Sequence, residues 1–411
     1  MLPVHRYAGF GEETVYGTAV AAAVHVDLAS ATLDSPSDTE NYYGGGLGRG
    51  VRTSRPGYYS AAGDVVYAWD IRTIARLLRW TLGGYRFTTA ATITLASSLA
   101  TNDIINTATA HGYAAGDRVR FPTLTGGAGL ATGTDYFVIA ANLAAQTFQV
   151  SATAGGTAVN FTTDITAGSV QRHPANLHEM HGGNNLTLLP SFTTRIGKDA
   201  FEHVFHGCIV DSLKLGLSDD FLLATMAIAA QRDSTAALTP LASVLLPPTF
   251  PLAFHEVTMS LPSGTDVSPI VRSLGLSIAN SVKADAGRSL GSRFPRRIPA
   301  GEREVTLSAE IVFEHKAQLE RFWGATAGPA VSGATDFATR ITADAGTDGA
   351  LVLDIASAHF SKVQIQPSGR DEITQQCEIR ALTATHALAA GGGNVETELL
   401  ASVRNAAPTL P

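Results

Sequence analysis

Histidines are the first residues to weigh for chemistry. His173, His178, His181, His203 and His206 lie close together in sequence with Cys208, and the phrases HEMH and HVFHGC have spacings that a metal could use. Two patterns argue against a metal. Within a strand, His203 and His206 fall on opposite faces. HEMH also lacks the four-residue histidine spacing of zinc hydrolases. The expectation is histidines that are solvated or sit at subunit contacts. The glycine cluster GGGLGRG at 44–50 could cradle a phosphate, but no buried strand runs into it and no helix follows it directly. It reads as an assembly loop. The chain has no GxSxG elbow, P-loop or paired-carboxylate pattern, and nothing in the sequence arranges Ser, His and Asp into a triad. No catalytic, metal or cofactor site is assigned, no cofactor is expected, and the chain reads as a non-enzyme.

The best-defined constellation is basic. Arg49, Arg52 and Arg55 lie in one loop, and Arg293, Arg296 and Arg297 in another. Guanidinium forks pair well with carboxylates across an interface, and the loops alternate Arg with Gly and Pro. Docking onto acidic residues of a stacked copy, such as Glu12 and Glu13 beside Tyr16 in the N-terminal segment, or Asp285, is preferred over DNA contact. The preference rests on the overall charge of −7.

Both loops belong to a repeated stretch. Residues 48–84 align without a gap on residues 292–328, so that Arg49 falls on Arg293, Arg52 on Arg296, Asp70 on Glu314, Leu78 on Phe322 and Gly84 on Gly328. Each copy reads as an arginine-bearing loop, a strand, an acidic residue at a helix start, a short amphipathic helix and a glycine stop. In the first helix Ile71, Ile74, Ala75, Leu78 and Leu82 share a face, and Asp70 is placed to cap it. In the second, Leu319, Phe322, Trp323 and Thr326 share a face.

At 411 residues there is room for two or three domains. Apolar residues make up 45% and charged residues only 16%, a mix that suits β-rich domains or surfaces covered by other subunits. The acidic balance argues against a protein built to grip nucleic acid, although a negative lining would let nucleic acid pass without sticking. Two cysteines, Cys208 and Cys377, make no disulfide framework and read as buried thiols. No apolar run approaches the ~20 residues of a membrane span, and the start MLPVHRYAGFGEETVYG lacks a secretion-signal pattern. A protein made and kept in a cytoplasm until something releases it is expected.

Residues 1–23 read as an extended arm, and 35–56 as a long polar loop. From 87 to about 172 Lys and Glu vanish, and short alternating runs such as DRVRFPTL and DYFVIAA are separated by glycine-rich turns. This is a small all-β module inserted in the first domain. The expected organisation is therefore 1–86 with 173–240 as the first domain, 87–172 as the insertion, and 241–411 as the second domain with its C-terminal tail. Residues 232–251 read as a linker, and the tail after His386 as ending without structure.

The paired plan, the opening GEETVYGTAV and the phrases LLRWTLGG and NLTLLPSFTTRIG resemble phage tail tube proteins of long non-contractile tails. The resemblance implies a mainly β fold, with two tandem β-sandwich or barrel domains that each carry one α-helix. It implies a structural virion protein that polymerises through an N-terminal arm and long loops into stacked rings. Two domains per chain imply a homotrimer with pseudo-six-fold symmetry. The implied partners are further copies of the chain, the tape measure and other tail proteins, and viral DNA in transit without specific binding. The phrases HGYAAGDRVRF, GTDYFVI and TFQVSATAGG resemble small β modules of phage tail and fibre proteins, and in a tube the module at 87–172 would point outward as a decoration. An alternative reading is therefore a tail-associated host-binding protein whose inserted module at 87–172 contacts the cell surface.

Overall fold

The structure, a computed structural model, describes residues 6–36, 39–43, 50–183, 189–217, 221–244, 246, 251–262, 264–331, 333–365, 367, 372–389, 392–407 and 410. It is mainly β, with two α-helices among the described residues.

The first half runs β1 (Ala8–Glu12), β2 (Val24–Val26), β3 (Leu28–Ala31), β4 (Ala61–Ala68), α1 (Ile74–Leu82), β5 (Gly84–Thr89), β6 (Asn176–His181), β7 (Phe192–Gly197), β8 (Glu202–Leu217), β9 (Leu223–Ala230) and β10 (Arg232–Ala236). The second half runs β11 (Val257–Ser260), β12 (Val271–Ala279), β13 (Glu304–Val312), α2 (Ala317–Trp323), β14 (Phe337–Asp344), β15 (Gly349–Ile365), β16 (Thr374–Ala381) and β17 (Leu400–Asn405).

Face strands such as β13 and β16 alternate buried and less buried residues with period two, as expected of a sheet with one face on a core. In β13 the core takes Val305, Leu307, Ala309 and Ile311, while Thr306, Ser308 and Glu310 face the other way. All pairings among these strands are antiparallel. The continuous face sheet has the order β3-β4-β9-β8-β12-β13-β16-β15. The N-terminal parts of the long strands β8 and β15 leave this sheet and enter back layers, where β8 pairs with β7 and β10, and β15 with β14 and β17. A bulge marks each departure, between Val210 and Ser212 and between Phe360 and Lys362.

The two halves repeat one topology. β1, β7, β8, β9, β4 and β3 are joined in the same succession as β11, β14, β15, β16, β13 and β12. One core cluster runs through both, from Trp69, Trp80 and Phe192 to Leu276 and Ile379. The C-terminal strand joins the halves again, since β17 lies between β6 and β15. The tail after His386 is thus not structureless: the alternation LLASVRN builds a strand that is paired on both sides. The segment after Gln231 likewise begins with a strand, β10, rather than a linker.

Ile71, Ile74, Ala75, Leu78 and Leu82 are all buried, as their spacing predicts. Asp70, however, does not cap α1 directly. Its Oδ1 accepts the Arg72 amide at 2.8 Å in the turn before the helix, whose N-cap position is Thr73. In α2 the buried residue is Gln318, and the helix ends at Gly324, which has φ 71°, so Thr326 and the expected stop at Gly328 lie beyond it.

Residues 93–172 carry a separate six-stranded sheet and a separate core of Leu95, Ile105, Phe121, Phe148, Phe161 and Val170. The strand β5, which contains Phe87, pairs with β6 of the host sheet. The backbone amide of Ala90 donates to Ala175 at 2.7 Å, so the two chain ends of the module leave the host side by side.

Candidate functional site

The eight-stranded face sheet has two unlike sides. One is the apolar core. The other carries small and polar residues with sparse charge. Cross-strand rows show it: Asp64, Ala227, Ser212, Ala279 and Glu304 align across five strands. Val66, Thr225, Lys214, Ser277, Thr306 and Arg380 form the next row. By strand alternation the charged side chains on this side are Asp34, Asp64, Glu304, Glu310 and Glu378 against Lys214, Lys362 and Arg380, a net negative set. Arg380 pairs with Glu304 at 3.3 Å in an exposed geometry worth little to stability. This side is broad and continuous. Its hydroxyl and amide groups can hydrogen-bond water, and its carboxylates repel an anionic polymer.

Sequence reasoning gave this face only its expected character, polar and net negative. It did not say which residues form it. The available signal was the strict alternation in VTLSAEI and TQQCEIRA, where every second residue is apolar or buried and the rest are Thr, Ser, Gln or charged.

The arginine constellation is divided by the fold. Arg49 lies outside the described residues. Arg52 and Arg55 belong to a hairpin in which 39–42 pair with 53–56; the Arg52 amide donates to Tyr42, and Arg55 stands opposite Glu40. Both strands of this hairpin are exposed throughout. The second loop is folded onto the first half of the same chain instead. The carbonyl of Arg293 accepts the Tyr59 amide at 2.7 Å, Gln231 Nε2 donates to the carbonyl of Pro295 at 2.8 Å, and the Ile298 amide donates to Tyr16 Oη at 3.1 Å. Ile298 closes a small apolar cluster with Leu189, Ile209 and Ala229. Arg296 and Arg297 line an open hollow of about 780 Å³ with Tyr16 and Arg288.

The acidic residues expected as their partners are held within the chain. Glu12 bonds Arg79 at 2.6 Å, and burial holds its carboxyl above the ordinary range. Glu13 is buried; it accepts from Thr193 Oγ1 at 2.9 Å and from the amides of Gly207 and Gly17 at 2.8 Å each. Asp285 pairs with Arg288 at 2.6 Å. The segment expected as a free arm contributes β1, paired with β2 and β7, and places Phe10 in the core.

The histidines serve the fold. His178 is buried against Tyr85 and Asn405, and burial lowers its pKa. His203 Nε2 lies 2.8 Å from Asp233 Oδ2, and His206 Nδ1 lies 2.8 Å from the carbonyl of Gly17. Among the described residues no group of three or more His, Cys, Asp and Glu could hold a metal ion. Cys208 and Cys377 are buried, and burial pushes both thiols up to about 12.

Comparison with known proteins agrees with this architecture. No curated protein matches the chain. The family model described as phage tail tube protein matches residues 182–381, a span that begins after β6 and runs from β7 to the end of β16. It covers the β8–β12 seam between the two halves, together with β13 and the second arginine loop. The match supports a structural role in the virion tail. Over residues 182–381, just under half of its length, the chain is similar to the phage tail tube protein family.

Proposed function

We propose that the chain polymerises into stacked trimeric rings of pseudo-six-fold symmetry, and that these rings form the tube through which DNA leaves a phage with a long non-contractile tail. The observation that carries this reading is the continuous face sheet, in which each half supplies four equivalent strands and one shared polar side. A sheet built from two copies of one unit, open at both ends, is suited to closing through further copies. The polar, net negative side then lines the lumen, where it lets DNA slide without adhering. The role is mechanical: no bond is made or broken, and no cofactor takes part. The exposed paired segments 39–42 and 53–56 and the hollow at Arg296 and Arg297 are the candidate contacts between subunits or rings. The tape measure protein is the expected occupant of the lumen before DNA, with assembly in the host cytoplasm.

Electron microscopy of concentrated protein tests the reading. Rings or tubes with three chains per layer support it, and a protein that stays monomeric at high concentration refutes it. A second reading, host attachment, rests on the separate core and sheet of residues 93–172. If phage lacking the module assemble tubes but no longer adsorb, that reading holds for the module.

A further inference from the structure

The inserted module is attached to the rest of the chain twice. The first attachment is its stem. There the Ala90 amide donates to Ala175, Gln171 Nε2 donates to the carbonyl of Ala90 at 2.6 Å, and the His173 amide donates to the carbonyl of Arg118 at 2.9 Å. Arg118 opens the module strand Arg118–Gly126, which therefore starts beside the stem. The second attachment is the Arg118 side chain. Its guanidinium donates to the carbonyl of Gly346 and lies 3.4 Å from Asp344 Oδ1, where β14 turns into β15 in the second half. The turn is shaped to receive it, since the Gly346 amide donates to the same Asp344 Oδ1 at 3.0 Å. Asp348 of this turn lies 3.9 Å from Arg72, just before α1 of the first half.

The module's charges are distributed as such a contact requires. Residues 93–172 hold seven charged side chains. Two of them, Asp103 and Asp164, serve the free end, where they accept the amides of Phe161 at 3.0 Å and Ala100 at 2.8 Å. The other five gather at the base. Arg172 pairs with Asp117 at 2.6 Å and Arg120 with Asp135 at 2.7 Å, both within the module. Among the described residues, Arg118 is the one arginine of the three whose carboxylate partner lies outside it. Its side chain is 12% exposed against 57% for Asp344, and its guanidinium lies 5.4 Å from the centre of the Phe137 ring. Drying a cation to this extent is offset only by charge-assisted contacts of this kind. Close by, burial holds the Arg404 guanidinium of β17 below its usual pKa; Arg172 of the module base adds to this and Asp117 opposes it.

We propose that Arg118 is a clamp that locks the inserted module onto the β14–β15 turn of the second half, so that module and host move as one body. Units joined by a stem and a small polar interface ordinarily move against each other. A stem rooted in the first half, at β5 and β6, leaves the module free to swing and twist. A charge-assisted contact to the second half removes that freedom. The clamp also fixes the direction in which the free end, with its turns at 127–134 and 152–164, is presented. Every copy then offers the same surface in the same orientation, and the module braces one half against the other.

The test is a distance distribution from electron–electron double resonance in the full chain. One spin label sits on Thr125→Cys in the module and the other on Thr258→Cys in β11, which pairs with β14. Both positions are exposed, and the native cysteines are buried. Labelled chain is diluted into unlabelled chain, so that only distances within one chain are read. With Arg118 intact the expected result is one narrow peak. Arg118→Ala removes a charge-assisted contact, raises the unseated population roughly tenfold and broadens the peak about twofold or more. Arg120→Ala, whose partner lies inside the module, leaves the peak narrow. Arg118→Asp broadens it, and adding Asp344→Arg narrows it again, which a misfolded module would not do. A broad distribution with Arg118 intact overturns the clamp. So does a narrow one in Arg118→Ala, equal broadening by Arg120→Ala, or a reversed pair no narrower than Arg118→Asp alone.

Discussion

Asn280 fastens the two halves together, and its replacement gives a worked prediction. The residue follows β12 and is buried. Its side-chain amide donates to the carbonyl of Thr81 at the end of α1 at 3.0 Å and to the carbonyl of Val210 in β8 at 3.1 Å. Its backbone amide donates to Asp211 at 2.7 Å, and its carbonyl accepts from Gly301 at 2.9 Å. Asn280→Ala strands two buried carbonyls, at about 1–2 kcal/mol each, so roughly 2–4 kcal/mol in all. Unfolding entropy of about 2.1 cal/mol/K per residue makes 1 kcal/mol worth roughly 1 °C in a chain of this length, which gives a Tm lower by about 2–5 °C. Asn280→Asp is isosteric but sets one carboxylate oxygen, in place of Nδ2, against both carbonyls. Its loss exceeds that of the alanine variant and grows as pH rises and the carboxylate ionises. Thermal unfolding followed by circular dichroism between pH 5 and 8 reads both. An aspartate variant within about half a degree of wild type, or one less damaged than the alanine variant, refutes the assignment of Asn280 as the clasp between the halves.

Asp70 predicts the opposite pH trend. Burial raises its carboxyl to about 6, above its unfolded value, so ionisation opposes folding above that pH and the opposition vanishes as pH falls below the unfolded value near 4. Asp70→Asn therefore raises Tm at pH 8, by on the order of 1–3 kcal/mol of stability, and the gain disappears near pH 4. At Gly63 an added Cβ would meet Leu33 Cα at 2.5 Å, so Gly63→Val pushes β3 off β4. It lowers stability by roughly 1–3 kcal/mol and removes ring formation, as thermal melts and size-exclusion chromatography will show. Replacing 93–172 by a short Gly-Ser link leaves the host fold intact, because its two ends are hydrogen-bonded neighbours; near-identical far-UV spectra per host residue and retained tubes are the expected readouts. Glu310→Lys with Glu378→Lys on the polar side leaves assembly unchanged and slows DNA release, measured by fluorescence of ejected DNA.

The elements of the repeat were legible because each is local. The alternation of VTLSAEI, the helical spacing of Ile71, Ile74, Ala75 and Leu78, and the shift that superposes the two copies all reside in short stretches of chain. What the sequence hid is long-range. Nothing in Arg293 to Ile298 says that this loop folds back on Tyr16 and Tyr59 of the same chain, since the hydrogen bonds involved are to backbone groups and carry no side-chain signature. Glu12 and Glu13 looked available for docking for the same reason: their partners, Arg79 and Thr193, are distant in sequence. The strand β17 was missed because a glycine-rich segment precedes it, and only pairing with β6 and β15 fixes it. Within the arginine loops, residue type was a guide to chemistry but not to which surface each loop meets.

The central claim is that the polar side of the eight-stranded face sheet lines a closed ring. The most direct test is a cryo-EM map of the assembled protein with side chains resolved. The account predicts three chains per ring, Glu310, Glu378 and Asp64 facing the lumen, and β3 of each chain continuous with β15 of the next. A ring whose lumen is lined by other elements, with this sheet facing outward or its two edges unpaired, contradicts it.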